Sequence, residues 1–298
     1  MDEEGNIETF VHRIDKVFKT IPSFEYEILF VNDASRDNSL KIMLDLREKN
    51  TRVKILDFSR SFGKEAAVSA GLDYAAGDAV IVIDVDLQEP PELIAELHKK
   101  WVEGFDVVVA RRRSRKSDSF LKKKSAEWFY KVFNRISETK LVTDVGDYRL
   151  LDRRVVEAIL RLRETNRFMK GIFAWVGFDT AYVDYDREAR TSGATKFSAI
   201  KLWNYGLLGI TSFSTVPIKF WSYVGILLSV LALIVGIKIA IAKLLFGNTV
   251  DGYSSIMVAV TFLGGIQLIG IGVLGEYLGR MYIETKSRPL YLIKDLHE

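Results

Sequence analysis

Residues 79–91 read AVIVIDVDLQEPP, and the fold hinges on them. Val80, Ile81, Val82 and Ile83 form a short unbroken apolar run of β-branched residues, the pattern of a strand buried on both faces of a parallel sheet. That strand then ends in acid. If the backbone stays extended, Asp84, Asp86 and Gln88 alternate with Val85 and Leu87 and project to one side. Three hard oxygen ligands on one edge suit Mg2+ or Mn2+, which bind through a few carboxylates and complete their octahedra with phosphate and water oxygens. In open α/β sheets, ligands gather beyond the carboxyl ends of the strands, where this cluster falls. The competing explanation is a solvated acidic turn ahead of a helix, with Pro90, Pro91 and Glu92 as its first turn. Spacing alone does not separate the two.

Outward from this stretch, one unit of strand, acidic turn and helix repeats. Residues 26–31 (YEILFV) form a strand ending in Asn32 and Asp33, and residues 39–50 carry Leu40, Met43, Leu44 and Leu46 at helical spacing. Residues 53–58 precede a helix over about 64–76, and residues 79–83 precede a helix over 91–103 that Gly104 stops. A strand over 106–110 follows. Strands alternating with helices predict a parallel, doubly wound sheet. Ahead of the first strand, residues 1–19 read as an acidic start and an amphipathic helix (Ile7, Phe10, Val11, Ile14, Val17, Phe18).

Beyond the repeats, residues 111–124 hold a basic tract. It is either a solvated loop or a contact for phosphates of a nucleotide or lipid headgroup; without interleaved aromatics it does not suit nucleic acid. A helix is expected over 121–136, with Trp128, Phe129, Val132 and Phe133 inward. Residues 144–149 (DVGDYR) read as a charge-dense loop leading to a helix near Arg153, whose acids and arginines must pair or bind something. A strand over 182–186 and a polar turn over 187–197 close the soluble part.

The 298 residues hold no cysteine, which excludes disulfides and thiolate metal sites. Lys plus Arg total 42 against 39 Asp plus Glu, so net charge is uninformative, but its distribution is not. Charge concentrates before residue 220 and long apolar runs after it, the mark of a soluble domain followed by a membrane part. Residues 199–214 suit an interfacial helix, and residues 224–237 and 256–275 suit two spans around a short polar loop, 247–255. Lys219 before the first span and Arg280, Lys286, Arg288 and Lys294 after the second place both flanks on the cytoplasmic side. Gly270, Gly272 and Gly275 match the dinucleotide fingerprint, but inside a membrane helix with no preceding strand the match is noise. Small residues for helix packing explain them better.

These pieces together resemble the polyisoprenyl-phosphate glycosyltransferases of glycosyltransferase family 2, most closely bacterial bactoprenol glucosyltransferases. The matching segments are VNDASRD, FSRSFGKEAAVSAGLDYAAGD, IDVDLQEPP, VGDYRLLDR, SGATKF and GGIQLIGIGVLGEYLGRMYIETKSRPLY, in order over nearly the whole chain. The resemblance implies a GT-A fold over residues 1–198, juxtamembrane interfacial helices over 199–220, a two-helix membrane domain over 221–280 and a cytoplasmic tail over 281–298. It implies a nucleotide-sugar donor, a polyprenyl phosphate acceptor, Mg2+ or Mn2+ on Asp84, Asp86 and Gln88, and no nucleic-acid partner. Asp33 would contact the uridine, with Arg60 and Lys64 near the nucleotide; Asp147 would be the catalytic aspartate. Arg149, Arg153, Arg190, Thr195 and Lys196 would hold the acceptor phosphate. The reaction implied is inverting transfer of glucose from UDP-glucose to undecaprenyl phosphate at a bacterial inner membrane, serving O-antigen or lipopolysaccharide modification, in a homo-oligomer joined through the membrane helices. Mannose or an aminoarabinose derivative is the alternative sugar, and a catalytically impaired scaffold the alternative role.

The family pattern opens with a strand and a Pro-Val-Tyr-Asn-Glu-like turn, and here residues 1–4 (MDEE) stand where that turn ends, leaving Glu3 as its one nominee at the nucleotide. The strand in question is central to the sheet. The chain is therefore expected to show an open slot beside the strands at 26–31 and 79–83, or to close it by pairing them directly.

Overall fold

The computed structural model describes residues 2–113, 120–186, 199–246 and 252–298. Helix α1 (Ile7–Thr20) is amphipathic as predicted and buries Ile7, Phe10, Val11, Ile14 and Val17. The expected alternation follows as β1 (Ile28–Asn32), α2 (Ser39–Lys49), β2 (Val53–Phe58), α3 (Lys64–Tyr74), β3 (Ala79–Val82), a 3-10 turn (Pro91–Leu93) running into α4 (Ile94–Val102), and β4 (Val107–Arg112). Then come α5 (Phe120–Ile136), β5 (Val145–Asp152), α6 (Arg153–Leu160), α7 (Met169–Trp175) and β6 (Thr180–Tyr185). Helices cover both faces. On one, Phe10, Ile14, Leu97 and Ile94 pack with Phe30, Ile55, Val108 and Leu150. On the other, Leu72, Val155, Val156, Ile159 and Ile172 pack with Val107, Val109 and Leu151. Successive residues of β4 and β5 thus serve opposite cores, as strand geometry requires.

The sheet itself departs from the doubly wound, mostly parallel arrangement. It is split into β1-β2-β7 and β3-β5-β4-β6, where β7 is Ile293–His297. Only β1 with β2 and β4 with β6 run parallel; β2 with β7, β3 with β5 and β4 with β5 are antiparallel. Two misread segments cause this. The DVGDYR stretch, expected to be a loop, begins β5, which runs between β3 and β4 with Tyr148, Leu150 and Leu151 buried. The end of the chain, expected as a cytoplasmic tail over 281–298 with no strand assigned, adds β7 to the edge of β2.

Between the halves lies the slot. β1 and β3 are not paired, and the space between them is a cavity of about 1090 Å3 lined by residues 28–31 and 79–83, with Phe10, Ile14, Leu72 and Ile94 among its walls. β3 is therefore an edge strand whose four residues are all half-buried, not a strand buried on both faces. The reason is geometric: one of its two ladder positions faces the groove.

Helix α8 (Ala199–Phe213) docks on the domain rather than lying free, for Phe213 packs with Phe133 and Phe168 in one cluster. After it, α9 (Val216–Phe246) and α10 (Tyr253–Thr285) each contain a stretch long and apolar enough to cross a membrane, Val216–Val235 and Phe262–Thr285. At about 1.5 Å per residue both helices exceed the ~30 Å of a hydrocarbon core. The foot of α10 returns to the domain: Tyr277 Oη donates to the Ser214 carbonyl at 2.9 Å, and the Thr165 amide donates to Glu284 at 3.0 Å.

Filling the slot is expected to stabilise the domain. Appending a Val-Val-Pro-Val-Tyr-Asn type segment ahead of Met1 should raise the melting temperature, because each backbone hydrogen bond gained contributes about 1 kcal/mol. Equal melting temperatures for the two forms would show that the groove accepts no strand.

Candidate active site

The site forms where the carboxyl end of β3 meets the amino end of β5. Because β5 is antiparallel to β3, with Val82 opposite Arg149, its first residues lie beside the end of β3. Asp84 and Asp147 are thereby brought together, and Lys64, the first residue of α3, closes the group. Its Nζ donates to Asp84 Oδ2 at 2.7 Å and lies 2.7 Å from Asp147 Oδ2. Burial works against the lysine charge, but the two carboxylates outweigh it and raise its pKa. Burial likewise pushes Asp147 upward, yet Lys64, with smaller contributions from Lys170 and Arg149, holds it below the usual carboxylate range.

The backbone does not stay extended through the acidic run. It turns at residues 85–86, Leu87 takes a left-handed φ of +56°, and Asp86 Oδ1 accepts the Gln88 amide at 3.1 Å. A non-glycine residue held at positive φ is uncommon. Strand alternation therefore does not set the directions of Asp84, Asp86 and Gln88. Among the described residues, no group of three His, Asp or Glu side chains converges as a ready metal cage. The donor set still suits a hard divalent ion. Asp84, Asp86 and Gln88 offer oxygens only, and Asp84 already holds an ammonium where positive charge is wanted, leaving the remaining positions to a ligand's phosphates and water.

Arg149 turns inward. Its guanidinium is buried, donates to the Gly146 carbonyl at 2.6 Å and the Asp147 carbonyl at 3.3 Å, and lies 3.9 Å from the centre of the Phe173 ring. Burial lowers its pKa to about 10, with Asp147 and Glu89 opposing. It braces the turn carrying Asp147 instead of facing a ligand. Arg153 is at the wrong end of the sheet. Asp152 pairs with Ala79, the first residue of β3, and Arg153 Nε donates to the Gly77 carbonyl at 2.9 Å. The same antiparallel run that brings Asp147 in carries Arg153 away, so Arg153 is corrected from phosphate ligand to a brace for the turn before β3. Arg190, Thr195 and Lys196 lie outside the described residues.

Asp33, buried at the end of β1, accepts from the Phe62 amide at 2.6 Å, the Gly63 amide at 3.2 Å and Ser61 Oγ at 2.8 Å. It fixes the loop that leads into α3, and Gly63, at φ +93°, supplies the conformation the loop needs there. Arg60 lies over the Phe62 ring, 3.9 Å from its centre. Glu3 borders the same groove as Asp33 and accepts from Asn6 Nδ2 at 2.7 Å.

One residue of the quoted stretch escaped the sequence reading. Glu89 is buried beside the site: Arg112 Nη2 is 3.8 Å away, and a Cβ on Gly146 would come within 2.9 Å of its Oε1. Glycine at 146 lets the Asp147 turn close on this carboxyl. Burial, then the nearby Asp84, push the Glu89 pKa to about 7 against the pull of Lys64 and Arg112. Its neighbour Arg112 and the adjacent Arg111, which pairs with Asp184 at 2.7 Å, extend β4 into the basic tract as paired residues.

Residues 2–160 match the model of glycosyl transferase family 2. The chain is 51% identical over 295 residues to an uncharacterized glycosyltransferase of Synechocystis, covering 99% of this chain and 92% of that one. It is also 51% identical over 293 residues to a prophage bactoprenol glucosyl transferase homolog of Escherichia coli K12, covering 98% and 95%. With the bactoprenol glucosyl transferase of Shigella phage SfII it shares 50% over 296 residues, covering 99% and 96%.

Glu89 makes a stability prediction with a definite sign. A carboxyl raised from 4.5 to about 7 stabilises the fold below its unfolded pKa and loses that contribution as pH rises through the folded one, roughly 3 kcal/mol in all. In chelator, the wild type should therefore melt several degrees lower at pH 8 than at pH 5, and Glu89→Gln should abolish most of that fall. Parallel pH profiles for the two proteins would contradict it.

Proposed function

From this chain's membership of glycosyl transferase family 2, we propose that it transfers glucose from UDP-glucose to undecaprenyl phosphate, with inversion at the anomeric carbon. The observation that carries this reading is the group of Asp84, Asp147 and Lys64 beyond the end of β3, in a chain half identical to bactoprenol glucosyl transferases. In open α/β folds that position is where a nucleotide's phosphates lie.

The acceptor needs little activation. A phosphate monoester has a second pKa near ~6, so its attacking oxygen is largely ionised at neutral pH. Asp147, whose own pKa is lowered, is accordingly assigned to orienting the incoming group more than to removing a proton. The harder tasks are to hold two anions together and to stabilise the departing diphosphate. Lys64 serves both, since its ammonium already lies between the two carboxylates and keeps its charge. A Mg2+ or Mn2+ ion, held by Asp84 with Asp86 and Gln88, would supply Lewis acidity toward the diphosphate. Asp33 and the loop at 60–63 are assigned to the nucleoside, with Glu3 beside them. Of the acceptor-phosphate group that the family resemblance implies, Arg149 is buried and Arg153 distant, and Arg190, Thr195 and Lys196 keep that assignment from the resemblance.

The two long apolar helices support a reaction at a membrane face. Lys219, Lys286, Arg288 and Lys294 flank them and assign the domain and both ends of the chain to the cytoplasmic side. Labelling a cysteine introduced at Thr249 from outside intact cells tests this. Protection there, together with labelling near Lys294, would reverse the orientation.

Two measurements test the chemistry. Purified protein incubated with undecaprenyl phosphate, Mg2+ and a panel of labelled nucleotide sugars should transfer glucose in preference to mannose or aminoarabinose derivatives. Asp86→Ala should lower transfer at least a hundredfold while the melting temperature stays within a few degrees. Wild-type turnover in that variant would sink the metal assignment.

A further inference from the structure

The residues after α10 do more than end the chain. β7 pairs antiparallel with β2, Leu296 opposite Leu56 and Asp295 opposite Asp57. The Leu292 carbonyl accepts the Ser59 amide at 3.0 Å, which pins the first residue of the loop running to Gly63. Tyr291 stacks on Phe58, with ring centres 5.2 Å apart and planes 12° from parallel. Phe58 in turn meets Phe62 edge on at 5.7 Å, and Arg60 covers Phe62. The Tyr291 hydroxyl donates to Asp73 Oδ2 at 2.7 Å near the end of α3, and Arg163 holds the other Asp73 oxygen at 3.0 Å. Tyr291 and Ile293 therefore join one cluster with Leu56, Phe58, Ala66 and Ala70, spanning β2 and the inner face of α3.

The tail thus touches both ends of the segment that Asp33 holds by its middle. At one end it stacks on Phe58; at the other it ties down the helix whose first residue is Lys64. The opposite side of the tail is the foot of α10, which is anchored to the domain through Glu284 at Thr165.

We propose that residues 287–298 are a positioning strap for the donor site, with Tyr291 setting the loop at 59–63 through Phe58 and Phe62 and holding the far end of α3 through Asp73. The proposal rests on the reading of that loop and Asp33 as the nucleotide contact. Tyr291 is a positioning residue, since its ring meets Phe58 and its hydroxyl meets Asp73, neither of them a reacting group. Aromatic stacks of this kind contribute more than their buried area alone. A loop fixed before the ligand arrives avoids an ordering cost on binding. The strap therefore acts on affinity for the nucleotide and leaves the acceptor side unchanged.

The test uses the full chain in detergent with a protease site inserted after Lys286. After cleavage and removal of the tail by washing, the dissociation constant for UDP with Mg2+ should rise about tenfold while the Michaelis constant for undecaprenyl phosphate holds. A synthetic peptide of residues 287–298 should restore UDP binding, and the same peptide with Tyr291→Ala should not. UDP binding unchanged after tail removal, or equal rescue by both peptides, would overturn the strap. Should cleavage unfold the protein, Tyr291→Ala in the intact chain decides: a raised donor Michaelis constant with unchanged acceptor constant supports it, and equal loss on both sides overturns it. Asp33→Ala separates the premise from the inference. If that variant binds UDP normally, the donor-site reading fails and the strap's purpose with it, whereas weakened binding in Asp33→Ala beside unchanged binding without the tail condemns the strap alone.

Discussion

A single ammonium group between two carboxylates organises the domain. Lys64 stands at the start of α3, Asp84 after β3 and Asp147 near the start of β5, and the three are drawn from parts of the chain that no local rule brings together. Without Lys64, two carboxylates would face one another in a partly buried cleft, an arrangement that forces at least one to take up a proton. With it, Asp147 stays ionised and the cleft keeps a net negative charge suited to a further cation. The cluster also fixes distances across the molecule, because α3 packs on β2 through Ala66 and Ala70 and reaches the other core through Leu72. A change in the spacing of the two half-sheets is thus a change in the position of Lys64.

The sequence revealed the parts that obey local rules. β2 falls on Val53–Phe58 as the repeat of strand, turn and helix predicts, α1 presents the apolar face predicted for it, and an open slot lies beside β1 and β3 as expected. β5 was hidden because its alternation is masked by function. Arg149 occupies a position that packing would give to an apolar side chain, stacked on Phe173, and Gly146 occupies another because Glu89 leaves no room for a Cβ. A strand that carries an ion-paired carboxylate and a buried guanidinium no longer looks like a strand. β7 was hidden for a different reason. Ile293–His297 is polar on an edge, and its pairing partner lies more than two hundred residues away, so nothing nearby in the chain declares it.

The candidate residues sort by the same logic. Asp33 and Asp84 follow the ends of β1 and β3, the strands after which the sequence places them. Those whose placement depended on the direction of β5 divide, Asp147 at the site and Arg153 at the opposite end, because the sequence showed the residues but not the direction of the strand carrying them. Leu87 at positive φ marks the third case, where a local turn replaces the extended geometry from which a ligand set was inferred.

The slot and the site are not independent. Both walls of the groove are strands whose carboxyl ends carry site residues, Asp33 beyond β1 and Asp84 beyond β3, and α3 packs across it on the second core while α1 and α4 close the first. A strand lying between β1 and β3 would pair with both edges and fix their separation, and with it the distance from Asp33 and its loop to Asp84. Any segment that binds the groove only when the two acids stand at the spacing a nucleotide requires must, by linkage, tighten nucleotide binding by the same factor that the nucleotide tightens the segment. In its open form, α1, α3 and α4 pack against both half-sheets. Their packing is apolar and non-directional, so it tolerates small shifts that a hydrogen-bonded ladder does not. Directional bonds do cross at this end of the molecule: Lys64 bonds Asp84 and Asp147, and Glu65 on the same helix accepts the Met169 amide at 3.0 Å. Lys64, assigned to chemistry, is then also a tie across the groove, and a ligand that draws it away from Asp84 loosens that tie as it binds.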